Sequence, residues 1–474
     1  MRNTITLLLL FVGAFSCAQV YPQSKSVIFK NVNIVDVEQG VVRTNQNVWV
    51  EGNRIKSISS KPLKNKGGTI IDASGKYLIP GLWDMHVHVF NNVSKRPPEE
   101  WYFPQFIANG VTSVRDMWTK PESMPDVNRW RKQLSQNSKI VPRFAAVGTL
   151  VDGTPVSWKN SDTAINAAQA RAIVQRLKDG GVDFVKVYAR LNRETYFAIV
   201  AEAKKLQIPF AGHLPNSVSF EEVSNAGQKS IEHLGWYKMF IDLSADKETF
   251  QKINDTAWTP ELRLQSIQSF SEQKWSDLAE LFVKNGTWIC PTSTINYSSM
   301  LPDDTALQHD TRLKLVPSTE SEDWLKLSGR ANSKTRFIRE VRFQKTLDMI
   351  RIMHNKGVGL LAGTDLGNPY IYAGSSLHDE LGFFVKAGLS PLAALQTATI
   401  NPARYSDMNK ELGTVQEGKL ADLVLLDANP LDNISNTRKI TAVMINGRIY
   451  LRKDLDRMQR PGKKSTTPDD NQVE

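Results

Sequence analysis

Short runs of alternating apolar and polar residues open and close the chain. Residues 27–29, 32–35, 48–50 and 55–58 are such runs, and Glu51-Gly52-Asn53 is a hairpin signal between the last two. The same pattern returns at residues 421–427 and 442–448. Alternation with a period of two is typical of strands that bury one face. We therefore expect a small composite β-sandwich domain made from both ends of the chain, residues 25–80 and 405–455.

The middle of the chain, residues 81–404, alternates short apolar runs with longer helical stretches. Several of these runs follow a glycine that ends a helix, as at Gly110, Gly181 and Gly357. This alternation predicts βαβ units and a parallel sheet, and eight such units close into a (β/α)8 TIM-like barrel of the α/β class. The predicted barrel strands are residues 82–88, 111–115, 143–147, 182–188, 208–213, 230–233, 287–291 and 358–365.

The two ends of the chain lie outside these predicted domains. Met1-Arg2 and the apolar run from Thr4 to Phe15 predict a signal peptide over residues 1–19, because the run is shorter than the roughly 20 residues of a spanning helix. We therefore expect an exported protein, periplasmic or secreted. Cleavage after Gln19 and a lipid anchor at Cys17 both stay open. Residues 456–474 are poor in apolar side chains, which predicts a disordered tail.

Charge and cysteine content limit the classes of partner and of metal site. The net charge is +10, but the basic residues are scattered, apart from a run at residues 460–464. This distribution favours a solvated basic surface over polyanion binding, so we expect a small-molecule substrate and no nucleic acid. Homo-oligomerisation stays open. Cys17 and Cys290 are the only cysteines, which argues against a thiolate metal site.

Four of the seven histidines lie at the ends of predicted strands. His86 and His88 stand two residues apart, so a strand aims both imidazoles to one side, as a metal chelate requires. His213 and His233 each close a later strand. Taken singly, a histidine of this kind is more often a hydrogen-bonded structural residue than a metal ligand. Because the carboxyl ends of all barrel strands meet at one mouth, their joint placement predicts a metal site there.

Two further residues extend this predicted site. Asp365 ends an apolar strand with an unpaired carboxylate, and Lys186 lies within a strand that is otherwise β-branched. A buried ammonium would repel a metal, but burial lowers the pKa of lysine, and a neutral amine can add CO2. The resulting carbamate has two oxygens with which to bridge two metals. A lysine that forms a salt bridge at the barrel mouth is the alternative.

Several segments resemble the amidohydrolase superfamily, in its binuclear form with a carboxylated lysine. The resemblance extends over about residues 25 to 452, and within the superfamily the chain is similar to the branch of imidazolonepropionase and the Xaa-Pro dipeptidases. The segments that carry it are residues 73–88 (ASGKYLIPGLWDMHVH), 362–365 (AGTD), 394–403 (ALQTATINPA) and 412–424 (LGTVQEGKLADLV).

This resemblance implies a metal-dependent enzyme that cleaves a C–N amide bond in a dipeptide or N-acyl amino acid. It implies two divalent metal ions, for which we expect Zn²⁺, and a hydroxide that bridges them and attacks the carbonyl. Asp365 is the implied general base and acid. The implied ligands are His86, His88 and Asp365 for the more buried metal, His213 and His233 for the other, and carboxylated Lys186 as the bridge.

The substrate contacts and the competing functions are open at this level. Tyr188, Arg190 and Arg115 follow or end predicted strands, and we expect them to bind a substrate carboxylate. A lactone, cyclic amide or phosphotriester hydrolase would use the same site. A mononuclear deaminase would lack the bridging lysine and would usually carry a Glu shortly after a strand histidine, yet none follows His213 or His233 closely. A non-catalytic barrel that acts as a binding protein is the alternative from a different functional class.

Overall fold

The computed structural model describes residues 26–63, 67–90, 97–251, 258–299, 309–326 and 333–459. The predicted signal peptide over residues 1–19, with the open alternative of a lipid anchor at Cys17, lies outside these residues. Within the described ranges, no helix is both long and apolar enough to cross a membrane.

Strands from both ends of the chain form one eight-stranded sheet. The strand order is β16-β15-β14-β5-β1-β2-β3, and β4 pairs with β1. The antiparallel pairing of β5 with β14, in which Leu78 faces Leu425, joins the two ends of the chain. One face buries a core that includes Phe29, Val48 and Met444. The predicted composite β-domain is confirmed, with strands β1 (Ser26–Asp36), β2 (Val41–Glu51), β3 (Arg54–Ser59), β4 (Thr69–Asp72), β5 (Tyr77–Pro80), β14 (Leu423–Leu426), β15 (Ile440–Ile445) and β16 (Arg448–Leu451).

The middle of the chain forms a parallel sheet that curls into a barrel. The strand order is β13-β12-β11-β10-β8-β7-β6, with the short β9 beside β8. Every pair in this sheet is parallel, as strands joined by helical crossovers require. The predicted barrel is confirmed, with strands β6 (Leu82–Val87), β7 (Val111–Asp116), β8 (Arg143–Asp152), β9 (Asp162–Thr163), β10 (Phe184–Val187), β11 (Phe210–Gly212), β12 (Ser230–Glu232) and β13 (Trp288–Cys290).

Residues 358–366 fill the eighth barrel position without forming a regular strand. Leu360 makes a parallel bridge to Ile289 of β13, and Leu366 makes one to Val87 of β6. The Asp365 amide donates a hydrogen bond to the carbonyl oxygen of His86 at 2.8 Å. The segment therefore has backbone hydrogen bonds to both of its neighbours, and it closes the barrel where the eighth strand was predicted.

Helices cover the barrel and extend over its carboxyl-terminal face. They are α1 (Tyr102–Ala108), α2 (Met124–Ser135), α3 (Ala167–Asp179), α4 (Arg193–Lys205), α5 (Phe220–Asn225), α6 (Tyr237–Leu243), α7 (Lys247–Gln251), α8 (Pro260–Gln268), α9 (Glu272–Asn285), α10 (Ser293–Ser298), α11 (Ser318–Leu325), α12 (Ser333–Lys356), α13 (Ser375–Lys386), α14 (Pro391–Thr397), α15 (Ile400–Tyr405) and α16 (Arg452–Met458). Helices α6 to α9 are inserted between β12 and β13.

Helix α16 corrects the predicted start of the disordered tail at residue 456. The helix continues to Met458, because Leu455 is fully buried and Met458 packs against the main core. The carbonyl of Met458 also accepts a hydrogen bond from Gln105 Nε2 of α1 at 3.2 Å. The rest of the predicted tail, residues 460–474, lies outside the described residues.

Candidate metal centre

The structure brings all six predicted ligands together at the carboxyl-terminal mouth of the barrel. His86 is the penultimate residue of β6, His88 directly follows that strand, and Lys186 lies in β10. The other three stand just after β11, just after β12 and in the eighth barrel position. All six residues are buried, each with at most 8% of its surface exposed. They are His86, His88, Lys186, His213, His233 and Asp365.

Asp365 stands at the centre of the cluster. Its Oδ1 lies 3.0 Å from His88 Nε2 and 3.5 Å from His86 Nε2. Lys186 Nζ lies 3.4 Å from the same nitrogen of His86. The ring centroid of His233 is 4.5 Å from that of His86. One carboxylate, one amine and several imidazoles thus face a shared small volume.

Hydrogen bonds orient two of the imidazoles for metal binding. Nδ1 of His86 lies 2.9 Å from Oε2 of Glu232, so it carries the proton and leaves Nε2 free toward the centre. His233 Nδ1 lies 2.7 Å from the hydroxyl oxygen of Thr292, and this hydroxyl donates to the Pro291 carbonyl. The Thr292 oxygen must then accept from Nδ1 of His233. Nε2 of His233 is therefore the unprotonated nitrogen.

Burial sets the protonation states of the cluster. It holds the pKa of His86 and of His213 well below the usual value and lowers that of His233 to about 4, so these imidazoles are neutral. Burial would raise the pKa of Asp365, but the neighbouring histidines and Lys186 outweigh it and lower that pKa to about 2. Desolvation lowers the pKa of Lys186 to about 8. Neutral imidazoles and an ionised carboxylate are the states in which these groups bind metals.

The donor set fits a divalent metal. Donor atoms of His86, His233 and Asp365 lie within 4.8 Å of one another. His88 Nδ1 and His213 Nε2 are buried, and neither nitrogen has a hydrogen-bond partner among the described residues. Imidazole with carboxylate oxygen is a donor set that suits zinc and related ions.

A second grouping of possible ligands, His86 with Glu232 and Cys290, does not fit a metal. Both carboxylate oxygens of Glu232 accept from Arg115 Nη2 at 2.8 Å, and Ser230 Oγ donates to one of them at 2.5 Å. Burial raises the pKa of Cys290 well above its usual range, so its sulfur stays a thiol.

Arg115 lies beneath the metal cluster, which corrects its prediction as a substrate contact. The side chain is 1% exposed. Besides Glu232, it donates to the Met85 carbonyl at 2.6 Å and to the Tyr405 hydroxyl at 2.9 Å. Its role is to hold Glu232 against His86, because a buried carboxylate is stable when it is paired. Sequence reasoning missed Glu232, although a carboxylate directly before a strand-end histidine was a usable signal.

Tyr188 and Arg190 line cavities beside the metal cluster. An inner cavity of about 600 Å³ is lined by Tyr188 together with His88, Lys186, His213, His233 and Asp365. A neighbouring outer cavity of about 780 Å³ is lined by both Tyr188 and Arg190. The Tyr188 ring packs on His213 with 3.8 Å between centroids, and its hydroxyl accepts from Trp158 Nε1 at 2.7 Å.

Known proteins with similar sequences or folds are hydrolases and deaminases. A 5-methylthioadenosine/S-adenosylhomocysteine deaminase of Thermoanaerobacter pseudethanolicus is 21% identical over 453 residues, which cover 90% of this chain and 94% of the relative. A bottromycin amidohydrolase structure superimposes with a TM-score of 0.70 at 21% identity, covering 92% of this chain and 89% of that one. A Xaa-Pro dipeptidase with bound methionine gives 0.62 at 19% identity, covering 90% and 100%.

The family model described as "Amidohydrolase family" matches residues 77–450. This match covers every barrel strand, all six clustered residues, and strands β14 and β15 of the β-domain. The chain therefore belongs to the amidohydrolase family and is a metal-dependent hydrolase that acts on C–N bonds.

Proposed function

We propose that this hydrolase cleaves the C–N amide bond of a dipeptide or an N-acyl amino acid, with two divalent metal ions in a centre bridged by carboxylated Lys186. The observation that carries the proposal is the contact between Lys186 Nζ and His86 Nε2, 3.4 Å apart, in a buried cluster of ligand-type side chains. An ammonium at this position would oppose a cation, whereas a carbamate would bind one.

The bridging group requires one covalent step. The neutral amine of Lys186 attacks the carbon of CO2, a new N–C bond forms as one C=O π bond opens, and one N–H proton leaves to solvent, so the neutral amine becomes an anionic carbamate with two oxygens. Desolvation favours this step because it lowers the pKa of Lys186 to about 8 and so increases the fraction of neutral amine. The reaction needs no oxidant or reductant.

The surrounding residues supply proton transfer and positioning. A divalent metal pair, when bound, polarises a carbonyl and lowers the pKa of water. Asp365, whose pKa is lowered to about 2, is ionised near neutral pH and accepts the proton of the attacking water at its carboxylate. It then delivers that proton to the departing amine nitrogen. Tyr188, in contact with His213, lies at the edge of both cavities and orients the amide.

Deamination of a heterocyclic amine is the second candidate, and it is favoured by the similarity to named deaminases. The two reactions differ in their product, since a deaminase releases ammonia and an amidase of the proposed class releases an amino acid. The buried Lys186 beside His86 supports the amidase, because a centre with a single metal needs no bridging anion there.

Metal analysis and a substrate screen test the proposal together. We expect about two zinc equivalents per chain, and release of amino acids from a library of dipeptides and N-acyl amino acids. Asp365→Asn should abolish turnover while losing less metal than His86→Ala. Ammonia release without amino-acid release would favour the deaminase, and a chain with no bound metal would overturn both candidates.

A further inference from the structure

The inner and outer cavities meet at the metal centre. His213, Tyr188, Trp158 and Trp236 line both of them. Volumes of about 600 and 780 Å³ each lie within the range of roughly 300–1,000 Å³ that accommodates a drug-sized ligand. A small dipeptide would therefore leave much of this space unfilled, whereas a substrate with bulky groups on both sides of its scissile bond would fill it.

The walls of the two cavities carry different basic residues. Away from the metal cluster, the inner cavity is lined by apolar and aromatic side chains such as Phe90, Trp118 and Leu150, together with Lys120 and Lys159. The outer cavity carries positive charge from Arg190 and Arg263, and within the described residues neither guanidinium has a carboxylate within salt-bridge distance. The other basic residue of this cavity, Lys238, pairs with Asp242. The outer cavity thus has two uncompensated cations.

Hydrogen bonds hold one of these cations in place. Asp152, at the end of β8, accepts from the amide of Arg190 at 2.8 Å and from that of Ser157 at 2.9 Å. Arg190 Nη1 donates to the Pro155 carbonyl at 3.1 Å. A Cβ at Gly153 would lie 1.9 Å from the Arg190 carbonyl oxygen, so only glycine permits this packing. The rest of the Arg190 guanidinium is free for a ligand, and little ordering is needed on binding.

The second cation comes from the inserted helices. Arg263 lies in α8, and its guanidinium sits over the Tyr237 ring at 4.9 Å from the centroid. Arginine stacked on an aromatic ring keeps its planar donors available at the edges, and these match a carboxylate in a bidentate manner. Trp158 and Trp236, 48% and 52% exposed, offer aromatic surface between this helix and the metal centre.

We propose that the outer cavity is a subsite for the amine part of the substrate, and that Arg190 and Arg263 bind a carboxylate at its far end. The bulky acyl part occupies the inner cavity. This inference rests on the proposed amidase function and narrows it to N-acyl amino acids that are large on both sides of the amide. Small dipeptides and uncharged amides are then poor ligands.

Binding to a full-length protein that carries Asp365→Asn tests the subsite without turnover. The probes are N-benzoylphenylalanine, its carboxamide and N-acetylglycine, measured by calorimetry. We expect the carboxylate to bind at least about tenfold more tightly than the carboxamide, since a hydrogen bond to a charged group is worth that much. N-acetylglycine should bind more weakly than N-benzoylphenylalanine.

Variants assign the effect to the cavity. Arg190→Gln with Arg263→Gln should remove the preference for the carboxylate, while Arg171→Gln, at an exposed position of α3 outside both cavities, should keep it. Equal binding of carboxylate and carboxamide, or an unchanged preference in the double variant, would overturn the subsite. Hydrolysis of amides by the wild-type chain without this preference would leave the proposed function standing. A preserved preference without any amide hydrolysis would overturn the function instead.

Discussion

At two of the six clustered residues, the backbone adopts a left-handed conformation. His233 has φ of +65° and Asp365 has φ of +62°. Residues other than glycine pay of order 1 kcal/mol or more there, so their surroundings must impose the conformation. His233 N donates to the Cys290 carbonyl and Asp365 N to that of His86. The turn at His233 breaks strand alternation, and as a result consecutive residues Glu232 and His233 both face the cluster.

The lowered pKa of Lys186 makes carbamate formation depend on pH. With a pKa of about 8, about a tenth of the amine is neutral at pH 7, compared with about three in ten thousand at the ordinary pKa of 10.5. At fixed dissolved CO2, the initial rate of carbamate formation is proportional to the neutral fraction of the amine, so it should rise with pH up to about 8 and level off above 9. Carbon-13 NMR of metal-free protein with labelled CO2 would follow the carbamate carbon.

Lys186→Gln is the control for that experiment, because it keeps a polar side chain but has no amine to react. The carbamate signal should be absent from this variant. An initial rate in the wild type that kept rising steeply through pH 10 would show that the amine has an ordinary pKa, and a missing signal at every pH would contradict carboxylation.

The positions of the clustered residues could be predicted from the sequence, but their hydrogen-bond partners could not. His86, His213 and Lys186 stand at strand ends or within strands, and parallel strands of a barrel bring such positions together whatever the details. Arg115 also belongs to a barrel strand, yet it lies under the cluster. Its direction depends on the carboxylate of Glu232, which is 117 residues away in sequence, and no local pattern encodes that pairing.

At the scale of elements, a carboxylate on one helix holds the start of another. Glu380 of α13 accepts from the amides of Ser293 and Thr294 at 2.9 and 2.7 Å, and from the Thr294 hydroxyl at 2.6 Å. These residues begin α10, directly after Thr292, whose hydroxyl bonds to His233. Helix α13 therefore fixes the orientation of a proposed metal ligand through the first turn of α10.

Burial raises the pKa of Glu380 to about 7, which makes this contact sensitive to pH. Because the folded pKa exceeds the unfolded value of about 4.5, the folded state holds the proton more tightly. The contribution of protonated Glu380 to the stability of the fold is complete below pH 4.5 and is lost as pH rises through 7. Glu380→Gln should remove up to about 3 kcal/mol of this pH dependence.

Urea denaturation of both proteins at pH 5, 6 and 8 would measure the effect. The stability difference between the Glu380→Gln variant and the wild type should shift in favour of the variant as the pH rises. A difference that stayed constant over this range would show that Glu380 has an ordinary pKa.

The elements themselves follow closely from the hydrophobic pattern, except in the eighth barrel position. Apolar runs located β6, β7 and β10 to β13 to within two residues, since buried parallel strands require them. They also located the start of β8, whereas the two-residue strand β9 was not predicted. Residues 358–365 were predicted as a strand, but Leu360 and the adjacent Leu366 make only isolated bridges. Gly363 lies so close to His86 that a Cβ would come within 2.8 Å of the Cβ of His86. Such close packing against a neighbouring strand is a tertiary feature. It favours glycine at this position, but it leaves no signal in the hydrophobic periodicity of the sequence.

At the scale of the whole molecule, a buried ion pair joins the β-domain to the barrel. Arg143, the first residue of β8, donates to both carboxylate oxygens of Asp422 at 3.0 and 3.2 Å. The Asp422 side chain is 2% exposed, and it also accepts from the amide of Asn446 at 2.7 Å. Its backbone carbonyl accepts from Gly81 at the entrance to the barrel. Asp422 therefore links the β-domain to the barrel.

Asp422→Asn should destabilise the protein by about 3 kcal/mol, because Arg143 would remain largely buried without its counter-charge. The matched control is Asp126→Asn, which breaks a pair with Arg129 whose side chains are about half exposed. A surface pair of this kind contributes at most about 1 kcal/mol. Denaturant midpoints of both variants would compare the two, and equal losses would contradict a joining role for Asp422.

The pairing of β5 with β14 also has a consequence for synthesis on the ribosome. Pro80 and Leu423 are neighbours in one sheet, yet the whole barrel is translated between them. At about 5–20 residues per second, one edge of β5 waits roughly 20 to 70 seconds for its partner. An open strand edge is prone to wrong pairing during such an interval. The domain that begins first is therefore completed last, and the nascent chain must keep that edge protected until then.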